Sequence, residues 1–273
     1  MLIKKIIILL FSTILYQSPL FSKSNTFNEF NSKNLSKYFS GIVAFENKNN
    51  SKALDFFESS KILINRHNQY LERYIVSLVH EDKVTKAINI IKTNSKNTSS
   101  DFFLAYILLA LDSLKKNDIY KAQKILSKVP EKLQHDRFEF IILSSLQRYL
   151  YVFNFKTISK ENKNFGDLSS ITETFQRCYL NDENTDTYFS NLINLEKADY
   201  SRYIYFYLTY LVKQNRIVEA KKIIKDLEYI DIPLLLSQGK SWLENNKYNE
   251  FKKVFSCNNH NDIIGEFLFL VSN

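Results

Sequence analysis

Apolar residues recur along the chain at helical spacing, and short polar runs interrupt them. Leu35, Tyr38, Phe39, Ile42, Val43 and Phe45 follow the i, i+3, i+4, i+7 rule of an amphipathic helix, and Asn47-Lys48-Asn49-Asn50 breaks it. Ala53, Leu54, Phe56, Phe57 and Ser60 resume the pattern on a second helix. The same helix–break–helix unit is predicted at 70–80 with 84–94, 102–115 with 119–129, 202–213 with 217–228, and 233–244 with 248–256. Pro130 and Pro233 fall between units, where a missing N–H costs little. Ser170 and Glu173 have the spacing of a capping box and predict another helix start at Ser170. Tyr149, Tyr151, Phe153 and Phe155 alternate as a strand would, but they continue a helical pattern from Phe138, so the segment is read as helix.

Composition narrows the class. Only 4 glycines and 3 prolines occur in 273 residues, too few for the turns of a many-stranded sandwich or barrel. Gly41, Gly166, Gly239 and Gly265 are too scattered to form a phosphate-cradling loop. With 45% hydrophobic and 24% charged residues, the chain is expected to fold. The net charge of +8 comes from lysines spread along the whole length rather than gathered on one face, so no nucleic-acid partner is expected.

At the N-terminus, Lys4 and Lys5 precede an apolar run from Ile6 to Tyr16, followed by Ser22-Lys23-Ser24. This order predicts a signal peptide over 1–22, cleaved after Ser22 or Ser24, with a short linker at 23–33. The mature protein is then expected in the periplasm or at the envelope. The alternative is an uncleaved inner-membrane anchor, the one membrane contact expected.

Little points to catalysis. His67, His80, His135 and His260 have no metal-ligand spacing, and the two cysteines form no paired C-x-x-C. Cys257-Asn-Asn-His260 reads as a surface loop, and Asp226 with Glu228 as solvated helix-end charge. No cofactor, metal or catalytic residue is expected.

A repeat underlies the helix pairs. Ala53, Ala87 and Ala122 recur at nearly equal intervals, each near the start of a second helix and each followed four residues later by Phe57, Ile91 or Leu126. Ala220 with Ile224 repeats the environment, and Gly41 and Ala110 supply a small residue on first helices. This pattern resembles the tetratricopeptide (TPR) repeat, and the chain is similar to exported bacterial TPR scaffolds. Units are assigned at 34–67, 68–101, 103–136, 201–231 and 232–261, with 137–200 as one or two degenerate repeats and 262–273 as the start of a further, truncated one. The apolar ending at 262–273 leads to the expectation that the sequence is the N-terminal part of a longer repeat protein.

The resemblance implies an all-α fold, a right-handed α–α superhelical solenoid over 34–261. Stacked repeats touch only their neighbours. Cys178 and Cys257, more than two repeats apart along the chain, are therefore expected to lie too far from each other to bond. The resemblance also implies a concave groove lined by first helices. In the first unit the groove positions are Leu35, Tyr38, Ile42, Phe45 and Glu46; in the second, Gln69, Glu72, Val76, Val79 and His80. The third adds Leu104, Ile107, Leu111, Leu114 and Lys115, and the unit from 201 adds Arg202, Tyr205, Thr209, Val212 and Lys213. Such a groove suits a peptide or protein partner, and the expected function is a non-enzymatic interaction scaffold. The alternative is the helical portion of a larger envelope enzyme or export complex whose catalytic part lies outside this chain.

Overall fold

Asparagine and aspartate side chains open several of the helices. Asn31 accepts the Asn34 N–H at 2.8 Å, Asn49 that of Lys52 at 3.3 Å, and Asp118 that of Lys121 at 3.0 Å. Each satisfies one of the donors that a helix start leaves without a partner. The computed structural model describes residues 31–64, 67–95, 100–134, 137–159, 163–193, 201–226 and 234–272. The predicted signal peptide, Pro233 and Glu228 lie outside them. Among the described residues the regular structure is entirely helical: fourteen α-helices, two short 3₁₀ turns and no strand.

The chain divides into two compact units, 1–100 and 101–273. The first contains α1 (Ser32–Glu46), α2 (Asn50–Ser59), α3 (Asn68–His80) and α4 (Val84–Asn94). Each packs against the next, and α1 also touches α3. Their apolar stripes meet in a core that includes Phe57, Tyr70, Leu71, Tyr74, Ile75 and Leu78, all at most 1% exposed.

The second unit contains α5 (Phe103–Lys115), α6 (Ile119–Leu126), α7 (Arg137–Phe155), α8 (Asp167–Leu180), α9 (Thr185–Ile193), α10 (Ser201–Lys213), α11 (Ile217–Asp226), α12 (Leu234–Glu244), α13 (Tyr248–Val254) and α14 (His260–Ser272). The alternating aromatics at 149–155 lie on α7, as the helical reading expects. The start of α8 is corrected: the helix begins at Asp167, ahead of Ser170. Gly166, with φ 65° and ψ −137°, turns the chain into it, a conformation open in practice to glycine alone. The Ser170 carbonyl accepts from Thr174 within the helix, and the Glu173 carboxylate is held by Arg177 instead of reaching back to a cap.

One turn recurs. Lys48, Asp82, Asn117, Asn181, Asn215 and Asn246 all have φ between 51° and 61° and end the first helix of a pair. After Asn117, for example, Asp118 N–H reaches the Ser113 carbonyl at 2.9 Å and Asn117 N–H that of Leu114 at 2.8 Å. The same two bonds recur around Lys48, Asp82, Asn181 and Asn215. This is the Schellman ending, which satisfies the last carbonyls and reverses the chain into the next helix. Successive turns are spaced by close to one repeat, except that Asn117 and Asn181 are separated by nearly two. The pair α8 and α9 therefore stands inside the segment read as degenerate, and the single long helix α7 occupies the interval where another turn is due.

A small buried residue sits at a constant offset from these turns. Ala53, Ala87, Ala122 and Ala220 each lie five positions beyond one and are fully buried. Across the first pair, a Cβ on Gly41 would come within 2.9 Å of the Phe57 ring and 3.3 Å of the Phe56 Cβ. In the α12–α13 pair the sizes are redistributed: Phe251 stands where alanine is elsewhere, and Gly239 opposite it makes the room.

The last helix departs from neighbour-only packing. α14 lies against α7 and α8, far back along the chain, with Ile263, Ile264 and Phe267 buried. Cys178 at the end of α8 and Cys257 just before α14 form a disulfide, with Cα atoms 5.6 Å apart. The expectation that these cysteines are too distant is therefore overturned, because α14 returns to pack on earlier helices. Cys257 and His260 are likewise not a surface loop: Cys257 is buried, and the His260 ring lies 5.8 Å from that of Phe153.

Candidate functional site

The projected groove residues fall into two groups. In the first unit Glu72 and His80 are exposed, and Ile42, Phe45 and Val76 are half-buried. Tyr38 is only 3% exposed. Its ring stacks on Tyr70, with centroids 5.3 Å apart, and its hydroxyl meets His67 Nδ1 at 2.9 Å and receives Arg73 Nη1–H at 3.3 Å. Tyr38 is thus a core residue, covered by the start of α3.

In the second unit Lys115 and Lys213 are exposed and Leu111 is half-buried. Tyr205, Thr209 and Val212 are buried, as are Ile107 and Leu114. Tyr205 stacks on Phe251 at 5.7 Å and its hydroxyl has no partner, while burial pushes its pKa up to about 12. The reason is that α10 is touched by α9, α11, α12 and α13, so most of its circumference is covered. Arg202 is engaged with Glu266 of α14 at 2.6 Å. The first helix of this pair therefore offers no open apolar stripe, and Tyr205 is no ligand anchor in this structure.

A cavity of about 520 Å³, lined mainly by polar residues, lies among α7, the loop before α8, α8 and α9. Arg148 of α7 lines it. This side chain stands in an otherwise apolar run with Leu146, Tyr149, Leu150 and Phe153, and it is 7% exposed. Its Nη1 donates to the Lys163 carbonyl at 3.4 Å, and its Nε has no partner. The loop carrying Lys163 is tied down at several points. Ser169 Oγ accepts the Phe165 N–H at 2.7 Å and donates to the Lys163 carbonyl at 3.3 Å, and Asn164 Oδ1 accepts the Gly166 N–H at 2.8 Å. The Lys163 ammonium sits 4.9 Å from the centre of the Phe140 ring.

The opposite wall is formed by Glu173, Tyr188 and Asn191. Glu173 is the one carboxylate among the lining residues, and it is committed: Arg177 Nη2 bonds its Oε1 at 2.8 Å. Arg177 also bonds Asp182 at 2.9 Å and stacks over the Tyr188 ring at 4.1 Å, so these charges balance one another. The hydrogen bond to Glu173, with burial, raises the pKa of Tyr188. Burial opposes charge on Asp182, yet the Asn184 N–H and Arg177 together hold its carboxyl below the usual range. Sequence reasoning did not find this cavity. Its available signal was Arg148 itself, a charge on the inward face of an apolar helix.

Among the described residues no cluster of histidine, cysteine, aspartate and glutamate side chains is arranged to hold a metal ion, and no helix is long and apolar enough to cross a membrane. Compared with known protein families, curated proteins and solved structures, the chain matches none.

Proposed function

We propose that the chain is a non-enzymatic interaction scaffold of TPR-like helix hairpins in a right-handed superhelical solenoid, exported and binding a protein or peptide. The observation that carries this reading is the recurrent hairpin: one turn geometry at six places, with a fully buried alanine five positions beyond four of them. Repeated two-helix units hold successive first helices at a fixed spacing, and such arrays use the resulting surface for recognition. Binding would rest on the exposed and half-buried positions Ile42, Phe45, Glu72, Val76, His80, Leu111, Lys115 and Lys213, because Tyr38 and Tyr205 are enclosed.

The test uses the full chain expressed in an exporting bacterial host. N-terminal sequencing of the exported protein is expected to begin at Lys23 or Asn25. Envelope partners are then captured on wild-type protein and on Glu72→Lys, His80→Glu, Lys115→Glu and Lys213→Glu variants. These surface changes should leave the helical circular dichroism intact. Loss of the same captured partner in at least one variant is expected; capture unaffected by all four would rule out the groove.

A further inference from the structure

Arg148 is a nearly buried charge with no counter-charge among the described residues, and it lines the cavity. An arginine guanidinium is a permanent cation. Arg148 is 7% exposed, belongs to no ion pair among the described residues, and has one long hydrogen bond, to a backbone carbonyl. A guanidinium withdrawn from water is costly unless an anion compensates it. The buried carboxylate of α14 is not that anion, because Glu266 is held by Arg202 through Nε at 2.8 Å and Nη2 at 2.6 Å. Glu173, on the cavity wall, is held by Arg177. What remains beside Arg148 is the cavity.

The lining gives the chemistry of an occupant. Lys163 also lines the cavity, with its backbone carbonyl bonded by Arg148 and its ammonium 4.9 Å from the centre of the Phe140 ring, so the lining holds two cationic residues and one already neutralised carboxylate. The rest is hydroxyl and amide: Ser169, Ser170, Thr174 and Tyr188 with Asn164 and Asn191, while Leu192 is the one aliphatic side chain. Leu192 and the carbon stems of the polar side chains give part of the wall an apolar character, and a dianion spread over the whole cavity would meet Glu173. The volume of about 520 Å³ falls within the range of small-molecule sites. The planar guanidinium matches a carboxylate or phosphate edge. The Lys163 loop is pre-set by Gly166, Ser169 and Asn164, so little ordering is left for binding.

We infer that the cavity between α7, α8 and α9 binds a small organic anion. One carboxylate or phosphate group lies against Arg148 and Lys163, and a hydroxyl- or amide-bearing body lies along Ser170, Tyr188 and Asn191. The site is independent of the first-helix groove, so each can fail without the other.

Calorimetric titration of the full, oxidised chain tests it with four probes: glucuronate, glucose 6-phosphate, inorganic phosphate and neutral glucose. Glucuronate or glucose 6-phosphate is expected to bind saturably with a Kd of about 1 mM or below, and to bind more weakly as salt rises. Which of the two binds names the anionic group. Lys163→Gln, an exposed substitution that leaves the fold alone, is expected to weaken binding by about tenfold, whereas Lys253→Gln, on distant α13, is expected to leave it unchanged. Arg148→Met is expected to lose binding without losing stability, because it removes an uncompensated charge from the interior; should it fail to fold, Lys163→Gln still decides. Absence of saturation by either sugar anion up to about 20 mM overturns the inference. So does equal affinity for glucose or inorganic phosphate, or full binding by Lys163→Gln.

Discussion

The two units use the same hairpin and close it differently. In the first, α1 to α4 pack largely in chain order, and the core is built from tyrosines and aliphatics contributed by adjacent helices. In the second, α14 returns to α7 and α8, and three links fasten it: the Cys178–Cys257 disulfide, the Arg202–Glu266 ion pair and the edge contact of Phe267 with Tyr149 at 5.8 Å. A repeat that contacts only its neighbours gains stability step by step along the chain. A fold-back couples distant helices, so the second unit is expected to unfold more cooperatively than the first.

Removing the disulfide is the largest expected perturbation of that contrast. Its cysteines are 79 residues apart, and loop-closure entropy assigns a cross-link of that span about 4.5 kcal/mol. Cys178→Ser with Cys257→Ser is expected to speed amide hydrogen exchange throughout 101–273 and to leave 31–95 as in the wild type. Uniform loss of protection in both units would mean that they unfold together, and the comparison would fail.

The ion pair gives an asymmetric pair of variants. The Glu266 side chain is 2% exposed and that of Arg202 is 41% exposed. Arg202→Ala strands a buried carboxylate and is expected to cost about 3 kcal/mol. Glu266→Ala leaves an arginine that reaches water and rests on the Phe269 ring at 4.5 Å, so about 1 to 2 kcal/mol is expected. Urea unfolding monitored by tryptophan fluorescence suits this test, since Trp242, the single tryptophan, lies in the second unit. Equal losses would contradict the burial argument.

How much of this was legible in the sequence divides along the same line. The helix pairs, their approximate bounds, and the small positions Gly41, Ala53, Ala87, Ala110, Ala122 and Ala220 follow from local periodicity and its repetition, which helices obey wherever they sit. Periodicity also placed Tyr38 on an apolar face, and the repeat resemblance placed Tyr205 on a groove-lining one. Periodicity does not say whether such a face is covered by a neighbour or left open, and both turned out covered. The fold-back of α14, the disulfide and the Arg148 cavity depend on residues far apart along the chain, for which one sequence carries no spacing rule. The start of α8 was misplaced because Ser170 and Glu173 match a capping motif, whereas the turn is made by Gly166 through a backbone conformation that the motif does not consider.

The glycines test the close-approach reading on a smaller scale. Gly41→Ala replaces a poor helix former, a gain of up to about 1 kcal/mol. Its new Cβ would, however, stand 2.9 Å from the ring of fully buried Phe57 and 3.3 Å from the Phe56 Cβ. Overpacking of that kind costs about 1 to 3 kcal/mol, so net destabilisation of the first unit by about 1 kcal/mol is expected. Gly265→Ala is the control. It lies in helix α14 with nothing within 4 Å of the added carbon, and stabilisation of about 0.5 to 1 kcal/mol is expected. If both changes stabilise, the requirement for a small residue at position 41 is refuted.

The smallest expected effect is a difference in acid sensitivity. In the first unit Glu58 is held below the usual carboxylate range, chiefly by its hydrogen bond from Lys86. In the second, Asp101 is lowered by Lys132 and Tyr106, and Asp182 by the Asn184 N–H and Arg177 against the effect of burial. A depressed carboxylate pKa contributes stability that is present above the unfolded value of about 4 and lost as pH falls through the folded value. Asp262 has the opposite sign, since burial raises its pKa and its protonation therefore favours the folded state as pH falls. Glu58 and Lys86 are 41% and 47% exposed, so their pair is worth no more than about 0.5 kcal/mol after solvent screening. Between about pH 5 and pH 3, both units are expected to weaken slightly, the second by more because, among the described residues, it holds three of the four depressed carboxylates: Asp101, Asp182 and Glu219, the last lowered by its hydrogen bond from Arg216. Glu58→Gln should flatten the acid response of amide exchange in 31–95 alone, and Asp101→Asn that in 101–273 alone. Each variant flattening the other unit's response would show that the acid sensitivity is not carried by these pairs.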